Sequence, residues 1–348
     1  MNLKKPFSLK VKPTEEIIKL LESVTLGSNG ARYKHLDTRK KIKQLYRPLF
    51  LTLEWNEKLM GNITFCRRDC GWYVRYFAFS DLVQAQKSQR KNKNEGFLKK
   101  ELKKFFKNAI ESTHEDHPEL FYAYIDPKNT RSLWMSQQFG FEVQAKIATQ
   151  TFSRIKPKEI KNVRALTDQE LDKHSVILKE HYKNHQLYFA KHTFNKFPFY
   201  GYFDDSGKLL ATVKVQLANW RLERLSGKAG GLITRAIPFI PGVRKIIKPN
   251  NYYFSTAETV WVDQSLDQKE QGKTLCKLFE GVLFHEKTNS LIWWVDKKEK
   301  TYRAVKSLIN WGLMHNLNGV NEVDLVTLGK TEHLDKNQPF FTTAFDFI

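Results

Sequence analysis

Apolar positions along the chain follow two rhythms that alternate and then repeat. Ile17, Ile18, Leu20, Leu21 and Val24 recur at helical spacing and predict one apolar helix face over 14–25. Residues 49–55, 60–66 and 72–79 predict a meander of strands, punctuated by the turn-like Asn56-Glu57-Lys58 and Arg68-Asp69-Cys70-Gly71. The last strand sets Tyr73, Arg75, Phe77 and Phe79 against Val74, Tyr76 and Ala78, so both of its faces are expected to be largely buried. A polar stretch at 84–94 leads into a helix after Gly96. Its apolar side is Leu98, Leu102, Phe105, Phe106, Ala109 and Ile110, and its other side is Lys99, Lys100, Lys103, Lys104 and Lys107. A strand over 119–125, a helix running to about Phe139 and a strand over 141–155 close the first half.

The second half repeats this order. It predicts a strand at 160–166, a helix at 167–190 and a hairpin of 199–203 and 209–217 around Asp204-Asp205-Ser206-Gly207. A strand at 252–262, a helix at 272–286, a strand at 290–295, a helix at 301–311 and strands at 322–328 and 340–347 follow. Two short segments hold equivalent places: Lys93-Asn94-Glu95-Gly96-Phe97-Leu98 and Lys269-Glu270-Gln271-Gly272-Lys273-Thr274. Each follows a strand and opens a helix, and the next helix in each half ends in aromatic-Gly-apolar, Phe139-Gly140-Phe141 and Trp311-Gly312-Leu313. A helix start of this kind favours an anion, because its first N–H groups lack partners and the dipole is positive there. The repeat predicts two domains, 1–155 and 156–348. Residues 227–249 have no counterpart in the first half; they are apolar, basic, acid-free and too rich in Gly and Pro for a regular helix.

Composition adds less. The 348 residues are 41% hydrophobic and 27% charged, enough for a core. The net charge of +21 favours anionic partners: a phosphate-bearing cofactor, an acidic carrier protein, an acidic lipid surface or nucleic acid. Beyond charge, no motif points to nucleic acid. Cys66, Cys70 and Cys276 are too few for a disulfide framework and fit a reducing cytoplasm. No apolar run follows the first residues as in a signal peptide, and none reaches the length of a membrane span. His181 and His185 have metal-like spacing on a predicted helix, but no third ligand accompanies them, so no metal is expected.

Asn129-Thr-Arg-Ser132-Leu-Trp-Met135-Ser136-Gln-Gln-Phe139-Gly140-Phe141 resembles the Asn-x-x-Ala-x-x-Leu-Tyr-x-x-x-Gly-Phe helix of the GNAT (GCN5-related N-acyltransferase) superfamily. Ser136 stands where that family usually has a general-acid tyrosine. In the second half Thr301 replaces the Asn and Leu308 the Tyr, with Gly312 kept. The two glycine segments resemble the family's Gln/Arg-x-x-Gly-x-Gly/Ala loop. Lys93 and Lys269 hold the first place, Gly96 and Gly272 the middle one, and Leu98 and Thr274 the last. The resemblance implies an α/β (α+β) fold of two GNAT-like domains, each a mixed, mostly antiparallel sheet with a splayed parallel strand pair flanked by helices. It implies acyl-CoA or acetyl-CoA as donor and direct attack of a primary amine on the thioester. Lys93, Gly96, Phe97 and Asn129 in one half, and Lys269, Gly272, Lys273 and Thr274 in the other, would hold the cofactor. Glu258, on the strand before the second loop, would be the general base, and the second half is expected to be the catalytic one.

Three functions compete on these grounds. The first is a cytoplasmic N-acyltransferase acting on a soluble amine. The second works at the inner membrane face on a lipid, with 227–249 as the contact and acyl-CoA or an acyl carrier protein as donor. The third is a non-catalytic module built from degenerate GNAT halves.

Overall fold

The computed structural model describes residues 5–27, 31–79, 96–113, 117–194, 197–225 and 230–346. The first half supplies strands β1 (Phe7–Lys10), β2 (Arg32–His35), β3 (Pro48–Trp55), β4 (Lys58–Arg68), β5 (Gly71–Phe79), β6 (Leu120–Ile125) and β7 (Glu142–Ser153). The second half supplies β8 (Val163–Ala165), β9 (Phe199–Phe203), β10 (Leu209–Arg224), β11 (Tyr252–Val262), β12 (Ser290–Asp296) and β13 (Asn321–Gly329). They make one continuous sheet in the order β1-β3-β4-β5-β6-β13-β7-β12-β11-β10-β9-β8, with β2 paired to β10.

The centre of this sheet is where the repeats meet. β7 follows β6 in sequence, yet it pairs with β12, from Ser290↔Ser153 to Asp296↔Ile147. β13 follows β12 in sequence, yet it pairs with β6, from Asp324↔Ile125 to Gly329↔Leu120. The two units that the sequence divides near 155 therefore trade their last strands, and β7 and β13 pair with each other across the exchange. β2 crosses as well, setting His35 opposite Trp220 and Tyr33 opposite Leu222 on β10.

Helices cover the sheet where their apolar faces predict. Phe97–Ile110 buries Leu102, Phe105, Phe106 and Ala109 against Phe65, Trp72 and Phe121. Gln268–His285 buries Leu275, Leu278, Phe279, Val282 and Leu283 against β11 and β12. Each half contains one parallel strand pair, and each pair is short. β5 and β6 are joined only at Trp72↔Phe121 and Tyr73↔Tyr122. β11 and β12 are joined from Ser255↔Leu291 to Ala257↔Trp293. Beyond those positions the strands of each pair part.

Several elements end differently from their expected limits. The helix expected over 167–190 stops at Tyr182, because Gln186 leaves it to pair with Pro339 and Phe341. The helix expected over 301–311 stops at Val305; the chain then turns so that Trp311 packs beside Phe152 and Phe279. The strand expected over 340–347 is an extended segment ending in a short 3-10 turn, Ala344–Asp346, and it bonds to side chains and single carbonyls instead of a ladder. Residues 230–251 form short helical pieces, Gly230–Ala236, Ile237–Phe239, Val243–Ile246 and Pro249–Asn251.

His35 and His174 are buried and His185 is half-buried. Burial lowers His174 to about 4 and His185 to about 4, and with Arg75 and Lys41 nearby it lowers His35 to about 3. Each folded value lies below the ordinary value of about 6.5. The unfolded chain therefore binds more protons over the acid range, and stability falls as pH drops from about 6.5 toward 4. Urea denaturation at pH 7, 6, 5 and 4 is expected to give a midpoint that declines in this order. Changing His174 to Gln should flatten the decline.

Candidate functional site

In the second half the splayed strands are closed by the chain itself. Phe340 donates its N–H to Asp296 Oδ2 at 2.8 Å and Thr342 donates its hydroxyl to the Trp294 carbonyl at 2.6 Å, both on β12. Ala344 N–H reaches Glu258 Oε2 on β11 at 2.7 Å. These partners lie at or just past the last paired residues, so 340–344 fills the opening between the strands. Glu258 is fully buried; its other oxygen takes the fully buried Lys214 ammonium at 2.8 Å. Burial pushes Lys214 down and the carboxylate pulls it back up. Glu258 thus holds a strap and a buried cation.

The second glycine loop is closed too. Asp267 caps the helix Gln268–His285 by accepting the Glu270 N–H at 2.8 Å, and Glu270 adds a second acid to the first turn. Lys269 and Lys273 lie on the exposed side of that turn, with Lys273 paired to Glu270. Gly272 and Thr274 are buried. A methyl group on Gly272 would meet Leu308 Cβ at 2.9 Å, so this glycine permits helix-to-turn contact. A carboxylate cap and a packed glycine compete with an anion at this helix start.

The first half is the opposite in each respect. Where β5 leaves β6, a cavity of about 590 Å3 opens. Its walls include Val74 to Phe77 of β5, Ala123 to Asp126 at the end of β6, and Tyr33, Trp220, Ile292, Trp294 and Val323 from the exchanged centre. The helix Thr130–Phe139 lies over it. Asn129 caps this helix by accepting the Ser132 N–H at 3.2 Å, and Gly140 ends it in the left-handed region at φ 91°. Asn129, Ser132, Met135, Ser136 and Phe139 line the cavity at i, i+3 and i+4 spacing. No residue of this helix is fully buried, since its inner face looks onto open space. Ser136 returns its hydroxyl to its own helix at Leu133.

Among the described residues the Gly96 helix start is open. Gly96 is an extended N-cap with no side-chain cap, no acid follows in the first turn, and a methyl group there would touch nothing within 4 Å. Lys99 in that turn reaches Gln138 on the cavity helix at 2.8 Å. Phe97 is exposed, and Leu98 packs on the core, so it does not crowd the helix start. Lys93 lies outside the described residues.

The polar groups of the cavity differ in state. Three acidic residues line it, of which Asp346 is held by Arg68. Glu322 pairs with Lys297 at 2.6 Å, whereas among the described residues Asp126 has no ion-pair partner and takes only the Lys128 N–H at 2.8 Å. Tyr73 spends its hydroxyl on the Asp346 carbonyl, and burial holds its pKa well above the usual phenol value. Arg68 grips Asp346 with both terminal nitrogens in a dry pair. Tyr33 and His35 stack with Trp220, the nearer ring at 4.0 Å and the imidazole at 5.4 Å. His35 is 9% exposed and neither ring nitrogen has a partner. This aromatic wall went unread in the sequence, since a short polar strand such as Arg32–His35 carries no periodic signal.

No protein-family sequence model and no curated protein matches the chain. Solved structures do. N-myristoyltransferase from Saccharomyces cerevisiae with bound myristoyl-CoA superposes over 94% of this chain and 84% of its own, with a TM-score of 0.57 and 9% identity. A GCN5-related N-acetyltransferase from Sphaerobacter thermophilus matches over 94% of this chain and 96% of its own, with a TM-score of 0.51 and 11% identity. The chain has a tandem GNAT fold. At these identities the likeness concerns the fold. Among the described residues no cluster of His, Cys, Asp or Glu is fit to hold a metal; His181 lies 3.5 Å from Glu299 and stacks loosely on His185. Among the described residues no helix is long and apolar enough to cross a membrane.

Removing Glu258 should cost stability before it costs chemistry. Glu258→Ala takes the paired carboxylate from the buried Lys214 and frees the 340–344 strap, a loss of about 3–5 kcal/mol. Chemical denaturation measures it. A Glu258→Ala protein as stable as the parent would contradict the anchoring role.

Proposed function

We propose that this protein transfers an acyl group from acyl-CoA to a primary amine, and that the first half, not the second, holds the thioester. The observation that carries this reading is the contrast between the gaps: one is filled by the chain's own segment, the other is a cavity. The free edge of β5 past Tyr73 offers backbone N–H and C=O groups to a pantetheine arm. The start of the Gly96 helix, which among the described residues has no side-chain cap and no acid in its first turn, suits the diphosphate with Lys99 and Lys100 beside it. The thioester carbonyl would then sit where β5 and β6 part.

An amine arriving as ammonium must lose a proton before it attacks. Asp126 is our candidate acceptor, since it edges the cavity with its charge unmatched. The neutral His35 suits a second task, taking a hydrogen bond from the amine without competing for the proton. Glu258 and the second glycine loop then serve as architecture. The size of the cavity and its deep wall of Tyr33, Trp220, Ile292, Trp294 and Val323 favour an acyl chain longer than acetyl, in keeping with the myristoyl-CoA held by the yeast structure.

Two outcomes test this. Acyl-CoA at about 100 times its Kd should stabilise the protein by about 2.7 kcal/mol. Gly96→Asp adds a favoured cap worth about 0.3 kcal/mol to the apoprotein, yet it sets a carboxylate against the diphosphate, so acyl-CoA affinity should fall about tenfold or more. Unchanged affinity in isothermal calorimetry would move the cofactor elsewhere. Val323→Phe narrows the inner cavity, and mass spectrometry of amine products should then record a shift from long acyl donors to acetyl. An enzyme that uses acetyl-CoA alone before the substitution would refute the long-chain assignment.

A further inference from the structure

Residues 230–248 are pinned on one side and bare on the other. Ile237, Val243, Ile246 and Ile247 are buried in the core cluster that also holds the cavity residues Tyr73, Tyr76, Trp220 and Trp294. Thr234 ties the segment to the end of β10 by accepting the Leu225 N–H at 2.8 Å. The intervening side chains face away: Phe239 is 83% exposed and Leu232 72%, with Ile233 and Ile240 also exposed. Pro238 and Pro241 stiffen the turn between them. A segment held this firmly does not leave its apolar side chains in water for want of anchoring.

The charges around this apolar tip have one sign. Arg235, Arg244, Lys245 and Lys248 are exposed, and among the described residues none has an ion-pair partner. No Asp or Glu occurs between Arg224 and Glu258. Arg244, Lys245 and Lys248 border a shallow groove that continues along Ile155, Pro249 and Asn289. Apolar side chains at the tip and unneutralised cations around them match the two layers of a bilayer surface, acyl chains beneath and anionic headgroups above. Nucleic acid would answer the cations and leave four aliphatic and aromatic side chains wet. An ordinary protein partner would need a dense acidic ring to answer the same cations.

We propose that this face docks on the surface of an anionic phospholipid bilayer, with Leu232, Ile233, Phe239 and Ile240 entering the headgroup boundary and the four cations over the phosphates. The contact is peripheral, and it does not depend on the acyl-transfer reading. Because the anchors of the segment and the walls of the cavity belong to one core, docking would hold the cavity at a fixed height over the bilayer.

The test is co-sedimentation of the full-length protein with vesicles of phosphatidylcholine alone and of phosphatidylcholine with phosphatidylglycerol. Binding is expected to the anionic vesicles, with the partition coefficient falling steeply as salt rises. Leu232→Ser with Phe239→Ser should lower partitioning about tenfold or more at constant salt, and Arg244→Glu with Lys245→Glu should lower it comparably while abolishing the salt dependence. All four positions are exposed, so thermal melting should match the parent. Equal sedimentation of parent and variants, equal binding to neutral vesicles, or an oligomer in the parent that the serine variant converts to monomer without vesicles would each overturn the proposal. A vesicle-binding deficit that leaves acyl-CoA calorimetry unchanged would separate docking from the cofactor site.

Discussion

Wherever two buried parallel strands part, their facing backbone groups lose partners, and that debt governs this molecule. An orphaned N–H or C=O in a dry core costs as much as a lost hydrogen bond, so each opening must be filled by chain, by water or by ligand. In the second half the chain supplies the filling from its own distal segment, and Glu258, Trp294 and Asp296 receive it. In the first half β5 and β6 separate after Tyr73 and Tyr122 and enclose a cavity. The same architecture, repeated, yields one structural joint and one candidate reaction chamber. The segment that seals the joint then passes to the chamber, where Arg68, Tyr73 and Arg75 seize Phe345 and Asp346.

Helix starts tell the same story in electrostatic terms. Both glycine segments open helices over the same kind of strand pair. One helix neutralises its own positive end with Asp267 and Glu270; among the described residues the other leaves Gly96 without a side-chain cap and beside lysines. A carboxylate placed by the sequence and a phosphate brought by a ligand compete for the same N–H groups, so a helix that caps itself has little left for a cofactor.

Much of the fold was legible before the coordinates. The meander β3-β4-β5, the hairpin of β9 and β10, and the strand Tyr252–Val262 follow from apolar alternation, because each buries at least one regular face. The Asn129 to Phe141 stretch announced a helix running to about Phe139, and the structure adds the Asn129 cap and the left-handed Gly140 at its ends. The choice between halves was harder. Glu258 on a strand before a glycine loop has the composition of a base, and only tertiary contact with Lys214 and Ala344 reveals an anchor. A signal did exist in Asp267 three places before Glu270, which is the pattern of a self-capping helix. The exchange of β7 and β13 and the seating of β2 on β10 had no local mark, since pairing partners far apart in sequence leave no periodicity behind.

The traded strands bear on how such a protein can be divided. Cutting the chain near residue 155 would not release two folded modules. The amino-terminal piece would keep β7 without β12 and would miss β13 beside β6; the other piece would carry the mirror defect. Each would present long apolar ribbons with open hydrogen-bonding rims, surfaces that invite clumping. Gene fusion, circular permutation and limited digestion must all treat the pair as inseparable.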